Sequence, residues 1–302
     1  MWNRSSMRNN PACWWLVALY LLLSGCASVT TVEKMPTIEH SHSLVLLGQF
    51  QQGGMVVGQV PPGSKVLLNG SQLKVSGNGD FVLGFDRDTP PGDKLSVLFP
   101  DGVVRQQEFA VAPRNYDIQY VNGIDQKIQS KEKSKETLQR IEKETLAVKA
   151  ARAAHYEQLF FKEGFHWPLL GPITGVFGSQ RVYNGDPGRP HYGVDIAAPV
   201  GTVVFAPAGG TVTLAESDLY YSGGTVIIDH GYGVSSSFLH LDSALVHVGD
   251  VVQQGDPIGK VGNGGRSSGP HLDWRMNWYE RRLDPAVLVP PMNFVETVRE
   301  TP

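Results

Sequence analysis

Three short segments carry residue types that do chemistry together: His191-Tyr192-Gly193-Val194-Asp195, Phe238-Leu239-His240-Leu241 and Gly269-Pro270-His271-Leu272-Asp273-Trp274. On a strand, residues two and four apart face the same way. His191 and Asp195 can therefore share one face, and so can His271 and Asp273. Strands laid side by side would bring these imidazoles and carboxylates to one point. That donor set suits Zn²⁺ with a position left open for water. Each histidine taken singly reads as an ordinary surface or core residue, and it is the combination that points to a metal.

The elements that must position these residues are short strands. From Trp167 to Leu288 many glycines and prolines punctuate Val/Ile/Thr runs, and no long amphipathic helix fits. An antiparallel β domain is expected over 163–290. A second set of β-prone runs spans 44–112, separated by turn signals such as Asn69-Gly70 and Asp101-Gly102. It predicts a small, immunoglobulin-like β-sandwich without a chemical constellation of its own. Between them, over 123–162, glycine and proline give way to Lys, Glu, Gln and Ala. A thin apolar stripe (Leu138, Ile141, Thr145, Val148) and a Glu136–Arg140 pair predict a connecting helix ended by Gly164. The whole chain is thus expected to be mainly β, and a fragment starting near Phe161 is expected to fold alone.

Composition narrows the function classes. The 302 residues carry a net charge of −3, so no basic stripe favours nucleic acid. Two cysteines exclude a disulfide scaffold and a cysteine-rich zinc knuckle. Gly265-Arg266-Ser267-Ser268-Gly269 matches a serine-hydrolase elbow in letters, but Pro270 and an alternating strand follow where the elbow needs a helix. The glycine-rich run 262–269 lacks the Lys-Ser/Thr of a phosphate loop. A biotinyl or lipoyl carrier would need a lysine at a hairpin tip, and Lys260 is the one lysine after Lys162. His230, His155, His166 and His247 read as structural or surface residues. Trp274, Trp278, Tyr220, Tyr221 and Tyr279 are candidate groove walls, with packing the commoner role for each.

With those residues in view, the segments at 191–199, 239–241 and 268–274 resemble the lysostaphin-type (LytM-type) zinc endopeptidases, which cut peptide bonds in peptidoglycan. The resemblance runs from about Trp167 to Leu288. It implies an open antiparallel sheet with a loop-walled groove and one Zn²⁺. It also implies His191 and Asp195 as the first two ligands, and His240 and His271 as catalytic residues lining the site, one of them the general base. The family's third ligand is the second histidine of a His-x-His pair, and here that position is Asp273. Two carboxylates neutralise the ion, so its water is less acidified. The expected function is zinc-dependent hydrolysis of peptidoglycan cross-links or stem peptides in wall remodelling. The alternative is a non-catalytic relative that binds peptidoglycan and activates another wall hydrolase, with Asp273 as its mark.

At the N-terminus, Arg4 and Arg8 precede an apolar run from Trp14 to Leu23. Ten residues rise ~15 Å as a helix, half of a ~30 Å hydrocarbon core, which fits a signal peptide over 1–25 rather than a membrane span. Leu23-Ser24-Gly25-Cys26 resembles a bacterial lipobox, which implies cleavage before Cys26, lipid on Cys26, and a polar tether over 26–43. Ala27 implies the outer membrane, with the protein facing the periplasm. Changing Cys26 to Ser should move the protein out of the membrane fraction or block its maturation. Intact-mass measurement showing an unlipidated Cys26 in membrane-bound wild type would refute this.

Overall fold

The computed structural model describes residues 42–123, 133–154 and 156–292, and the observations below concern those residues. The signal segment, Cys26 and His155 lie outside them. The protein is mainly β, with antiparallel sheets and one helix. Two small sheets come first. Val45–Gly48, Met55–Gln59 and Asp80–Gly84 form one, in that spatial order; Ser71–Gln72, Lys65–Leu68, Gly92–Leu98 and Val104–Ala110 form the other. Alternation of buried and exposed residues along Gly92–Leu98 shows one face turned inward. Their inward residues, Val56, Phe81 and Leu83 from one sheet and Val66, Leu95 and Val97 from the other, share a core. Phe50, Phe85 and Phe109 close it with edge contacts at ring separations of 5.3–6.1 Å.

The second half is a ten-stranded antiparallel sheet. Its long central strands are Gly210–Leu219, Gly223–Gly231, Val234–Ala244 and His271–Trp278, with Val194–Ala197 on the far side of the last. Gly223–Gly231 is buried along its whole length, which explains its near-continuous apolar run. His230 sits at its end, fully buried. One ring nitrogen meets the Gly209 carbonyl at 2.6 Å and the other the Ser236 hydroxyl at 2.8 Å. It is a buried structural residue within the strand.

The helix covers Lys135–Arg152, shorter than the stretch expected from composition. Ser134 caps its start by accepting from the Thr137 N–H at 3.2 Å. It stops well before Gly164 because the chain beyond it is recruited by the large sheet: the Tyr232 N–H donates to the Tyr156 carbonyl, and a Cβ at Gly231 would lie 1.8 Å from the Gln158 carbonyl oxygen. Gly164 instead follows a 3-10 turn, Phe160–Glu163. The expected Glu136–Arg140 pair is replaced. Arg140 reaches forward to Glu144 at 2.6 Å and across to Asp218 at 3.1 Å, tying the helix to the sheet. Val148 and Ala151 pack on Leu214, Leu219 and Ile227.

The sandwich and the large sheet are not separated by a clean boundary. One apolar cluster runs from Val56 and Phe85 through Phe161 to Trp274 and Leu283. Ile118–Val121 pairs in parallel with Gln180–Tyr183. Arg114 bonds Asp284 at 2.7 Å, and a Cβ on Gly84 would come 2.7 Å from the Trp278 Cβ. Residues 39–302 accordingly form one compact unit. Two outcomes follow. Gly84→Val should overpack this junction and cost ~1–3 kcal/mol, read as a lower midpoint in a single thermal transition. A fragment starting at Phe161 should melt below the full chain by circular dichroism, because it exposes the face that Trp278 and Asp284 present to the sandwich. An unchanged midpoint would restore the independent-domain expectation.

Candidate functional site

Strand pairing sets the site. Val194–Ala197 lies antiparallel to His271–Trp278 with Asp195 directly opposite Asp273 and Ala197 opposite His271. On the other side, Leu239 lies opposite Asp273. Five candidate residues thus come from three neighbouring segments. His191 does not reach the site by strand alternation, since it precedes the strand. Its carbonyl accepts from the Gly178 N–H and its N–H donates to the Ser179 carbonyl, both at 2.8 Å, so a turn holds it. Two glycines give the carboxylates room. A Cβ on Gly175 would lie 2.2 Å from an Asp195 oxygen, and one on Gly193 would lie 2.5 Å from an Asp273 oxygen.

His240 is held in a left-handed conformation, φ 63°, within its strand. A bulky residue there stores strain of ~1–3 kcal/mol. The ring turns so that Nδ1 donates to the Gly264 carbonyl at 2.8 Å. His271 Nδ1 likewise donates to the Gly269 carbonyl at 2.8 Å. A carbonyl only accepts, so both rings carry a proton on Nδ1, and in the neutral imidazole Nε2 is the acceptor. The two rings are 4.8 Å apart. Ser267 gives its hydroxyl proton to the Gly269 carbonyl at 2.7 Å rather than to His271, so no serine nucleophile is activated here.

His191 Nε2 lies 3.2 Å from Asp195 Oδ1, and His271 Nε2 lies 3.7 Å from the same oxygen. Asp273 is buried and bound by Arg275, two residues along the same strand. Nε of Arg275 meets both carboxylate oxygens at 3.0 Å and Nη2 meets Oδ2 at 2.5 Å. Burial works against ionisation of Asp273, but the Arg275 charge and hydrogen bonds outweigh it and hold the carboxyl below its ordinary range. Burial also opposes protonation of His191, yet the Asp195 carboxylate beside it and the Asp273 charge raise its pKa. Burial lowers that of His240, partly offset by the Gly264 bond. Sequence reasoning missed Arg275, although the period-2 rule puts it on the face of Asp273.

These residues open into a groove of about 1180 Å³. The helix lines it through Ile141, Val148 and Arg152, and the sheet and its loops line it through Tyr221 and Leu239 among others. Trp274 and Trp278 are buried in the core instead, and Tyr279 packs beneath Gly233. His166 and His247 are exposed.

The signature of Peptidase family M23 matches residues 189–285. A crystal structure described as a putative peptidase M23 from Pseudomonas aeruginosa is 30% identical with a TM-score of 0.61, and the match covers 80% of this chain and 95% of that one. An uncharacterized metalloprotease of Haemophilus influenzae is 39% identical over 151 residues, 49% of this chain and 29% of that protein. Peptidoglycan DD-endopeptidase ShyA of Vibrio cholerae is 40% identical over 87 residues, 29% of this chain and 20% of that protein. The chain thus spans less than a third of the length of these curated relatives.

A metalloprotease relative raises the question of a metal. His191, Asp195 and Asp273 offer ligand atoms within 4.8 Å of one another, and His191 Nε2 and Asp195 Oδ1 are buried without a well-directed hydrogen bond. Those two fit a metal and Asp273 does not. Its oxygens are both engaged by a guanidinium, whose charge balances that of the carboxylate. An ion ~2 Å from an Asp273 oxygen would sit within ~5 Å of Arg275. At an effective dielectric of ~20 that repulsion is ~6–7 kcal/mol for a divalent charge, about half of the ~10–16 kcal/mol that binds structural zinc.

Asp273→Asn should leave Arg275 without its counter-charge and cost ~3 kcal/mol at neutral pH, measured by urea unfolding. The pH dependence has two steps. Burial lowers His230 from 6.5 to about 4, so stability present above 6.5 declines as pH falls towards 4. The Asp273 contribution is present above the ordinary carboxylate pKa and is lost as pH falls through its depressed value. Asp273→Asn should remove the lower step and keep the upper one.

Proposed function

Because the chain belongs to peptidase family M23, a family with peptidoglycan endopeptidases among its members, we propose that its groove binds peptide stems of peptidoglycan without hydrolysing them, and that it acts on the wall by activating another hydrolase. The observation that carries this reading is Arg275 seated on Asp273, the residue that the resemblance puts in the place of a third ligand. With that carboxylate neutralised, little remains to hold and polarise an ion, and no step is assigned to one. His240 and His271 keep Nε2 free to accept hydrogen bonds from peptide N–H groups in the groove. Lipid on Cys26 would hold the protein at the outer membrane, facing the wall from the periplasm.

The hydrolytic reading, a zinc-dependent endopeptidase, is favoured by one observation: His191 Nε2 and Asp195 Oδ1 stand buried and unsatisfied as a metal pair would. The two readings differ in metal content. Wild type equilibrated with equimolar zinc and dialysed should retain well under one ion by elemental analysis. It should bind purified sacculi and release no soluble muropeptide. Asp273→His combined with Arg275→Leu removes both members of the ion pair, a change that is often neutral for stability. That variant should retain about one zinc. Stoichiometric zinc and muropeptide release by the wild type would establish the endopeptidase instead.

A further inference from the structure

The groove collects arginines that the site residues do not use. Arg152 enters from the last turn of the helix, Arg189 from the loop before His191, and Arg282 from the Arg281–Leu283 strand, all lining the same groove as Arg275. Arg275 is neutralised by Asp273. No guanidinium of the other three forms an ion pair within 4.0 Å among the described residues, although the Arg282 backbone N–H donates to Asp86 Oδ2 at 3.2 Å. Neutral contacts hold them. Arg189 and Arg282 flank the Tyr192 ring at 5.5 and 5.8 Å, Arg282 Nη1 donates to Asn277 Oδ1 at 3.2 Å, and Arg152 Nη2 donates to Ser237 Oγ at 3.3 Å. Arg152 Nε is buried without an acceptor.

Like charges crowded in a poorly solvated groove oppose one another. Burial, then Arg282, Arg275 and Arg189, lower Arg152 from 12.5 to about 9. Burial and the same neighbours lower Arg282 as well. Asp86 offsets the shift of Arg282, and Glu280, which lines the groove, offsets those of both Arg152 and Arg282; neither carboxylate is within ion-pair distance of their guanidinium groups. Such a cluster is complete only with an anion between its members. Guanidinium forks match a carboxylate in pairs.

We propose that Arg152, Arg189 and Arg282 form an anion subsite that receives a carboxylate of the peptide bound in the groove. This rests on the reading of the groove as a peptide-stem site and names the group by which the stem is recognised. The helix then has a role that its sequence does not suggest: it completes the subsite with Arg152. A carboxylate is favoured over other anions because the cluster continues directly into the cleft of His191, Asp195 and His240, where a peptide backbone would run.

The test uses the full chain and two probes, a D-alanine-terminated tripeptide with a free α-carboxylate and the same tripeptide as its C-terminal carboxamide. Binding is followed by calorimetry. Wild type should favour the carboxylate by about tenfold or more, the size expected of charge-assisted hydrogen bonds. Arg152→Gln combined with Arg282→Gln should erase that preference while leaving carboxamide affinity unchanged, and Arg189→Gln alone should reduce it. Thermal melts confirm that each variant is folded. Equal binding of both probes by wild type overturns the subsite while leaving the groove as a peptide site. Preference retained in Arg152→Gln/Arg282→Gln overturns it as well. Binding of neither probe, with sacculi also unbound, overturns the groove reading and the subsite with it.

Discussion

The site is organised by a carboxylate that strand register forces against a neighbour of its own charge. Asp273 and Asp195 are cross-strand partners, and two carboxylates at that spacing cannot both stay ionised in a half-buried cleft without cations. Here the cation on Asp273 is a protein group. Arg275 grips Asp273, and His191, with its pKa raised, stands 3.2 Å from Asp195. The Asp273 half of the cleft is therefore electrically matched as built. A metal site of this geometry would leave the negative charge for the ion to satisfy.

The rest of the groove follows from that arrangement. Glycines at 175 and 193 let the carboxylates sit close under the backbone. His240 accepts a strained φ so that its ring meets Gly264 and leaves Nε2 towards the cleft. The helix wall is fixed by Arg140, which bridges to Glu144 and Asp218, rather than by a broad apolar face. Its one small apolar contact, around Ala151, lies near the end that delivers Arg152. A wall held mainly by exposed ion pairs has a weaker hold than one held by core packing.

Among the described residues the β-sandwich supplies none of the groove's lining side chains, but Asp86 bonds the Arg282 N–H and the sandwich is continuous with the sheet that carries the site. Gly84 lies against Trp278 on the strand that carries His271 and Asp273, and Arg281 donates to the Gly84 carbonyl at 2.8 Å. Arg114 and Asp284 lock the same junction. The site strand is thus braced from the side opposite the groove.

By itself the sequence determined the strand-rich class, the turn positions and the donor residues, because period-2 alternation and Asn-Gly or Asp-Gly turns are local properties. It also put an aspartate, Asp273, where the family resemblance implies a histidine. It did not determine how His191 reaches the site, since that depends on a turn at 176–179 paired with it through space. The helix bounds went astray for a related reason: composition between 123 and 162 favours helix throughout, but backbone bonds from Tyr156 to the Tyr232 turn compete and win. Arg275 was within reach of the period-2 rule and its meaning was not, because only burial makes a guanidinium two residues from a carboxylate decisive. Arg152 and Arg282 are 130 residues apart, and no local rule joins them. Folding the helix onto the sheet put both charges in one groove, and that choice belongs to the tertiary structure alone.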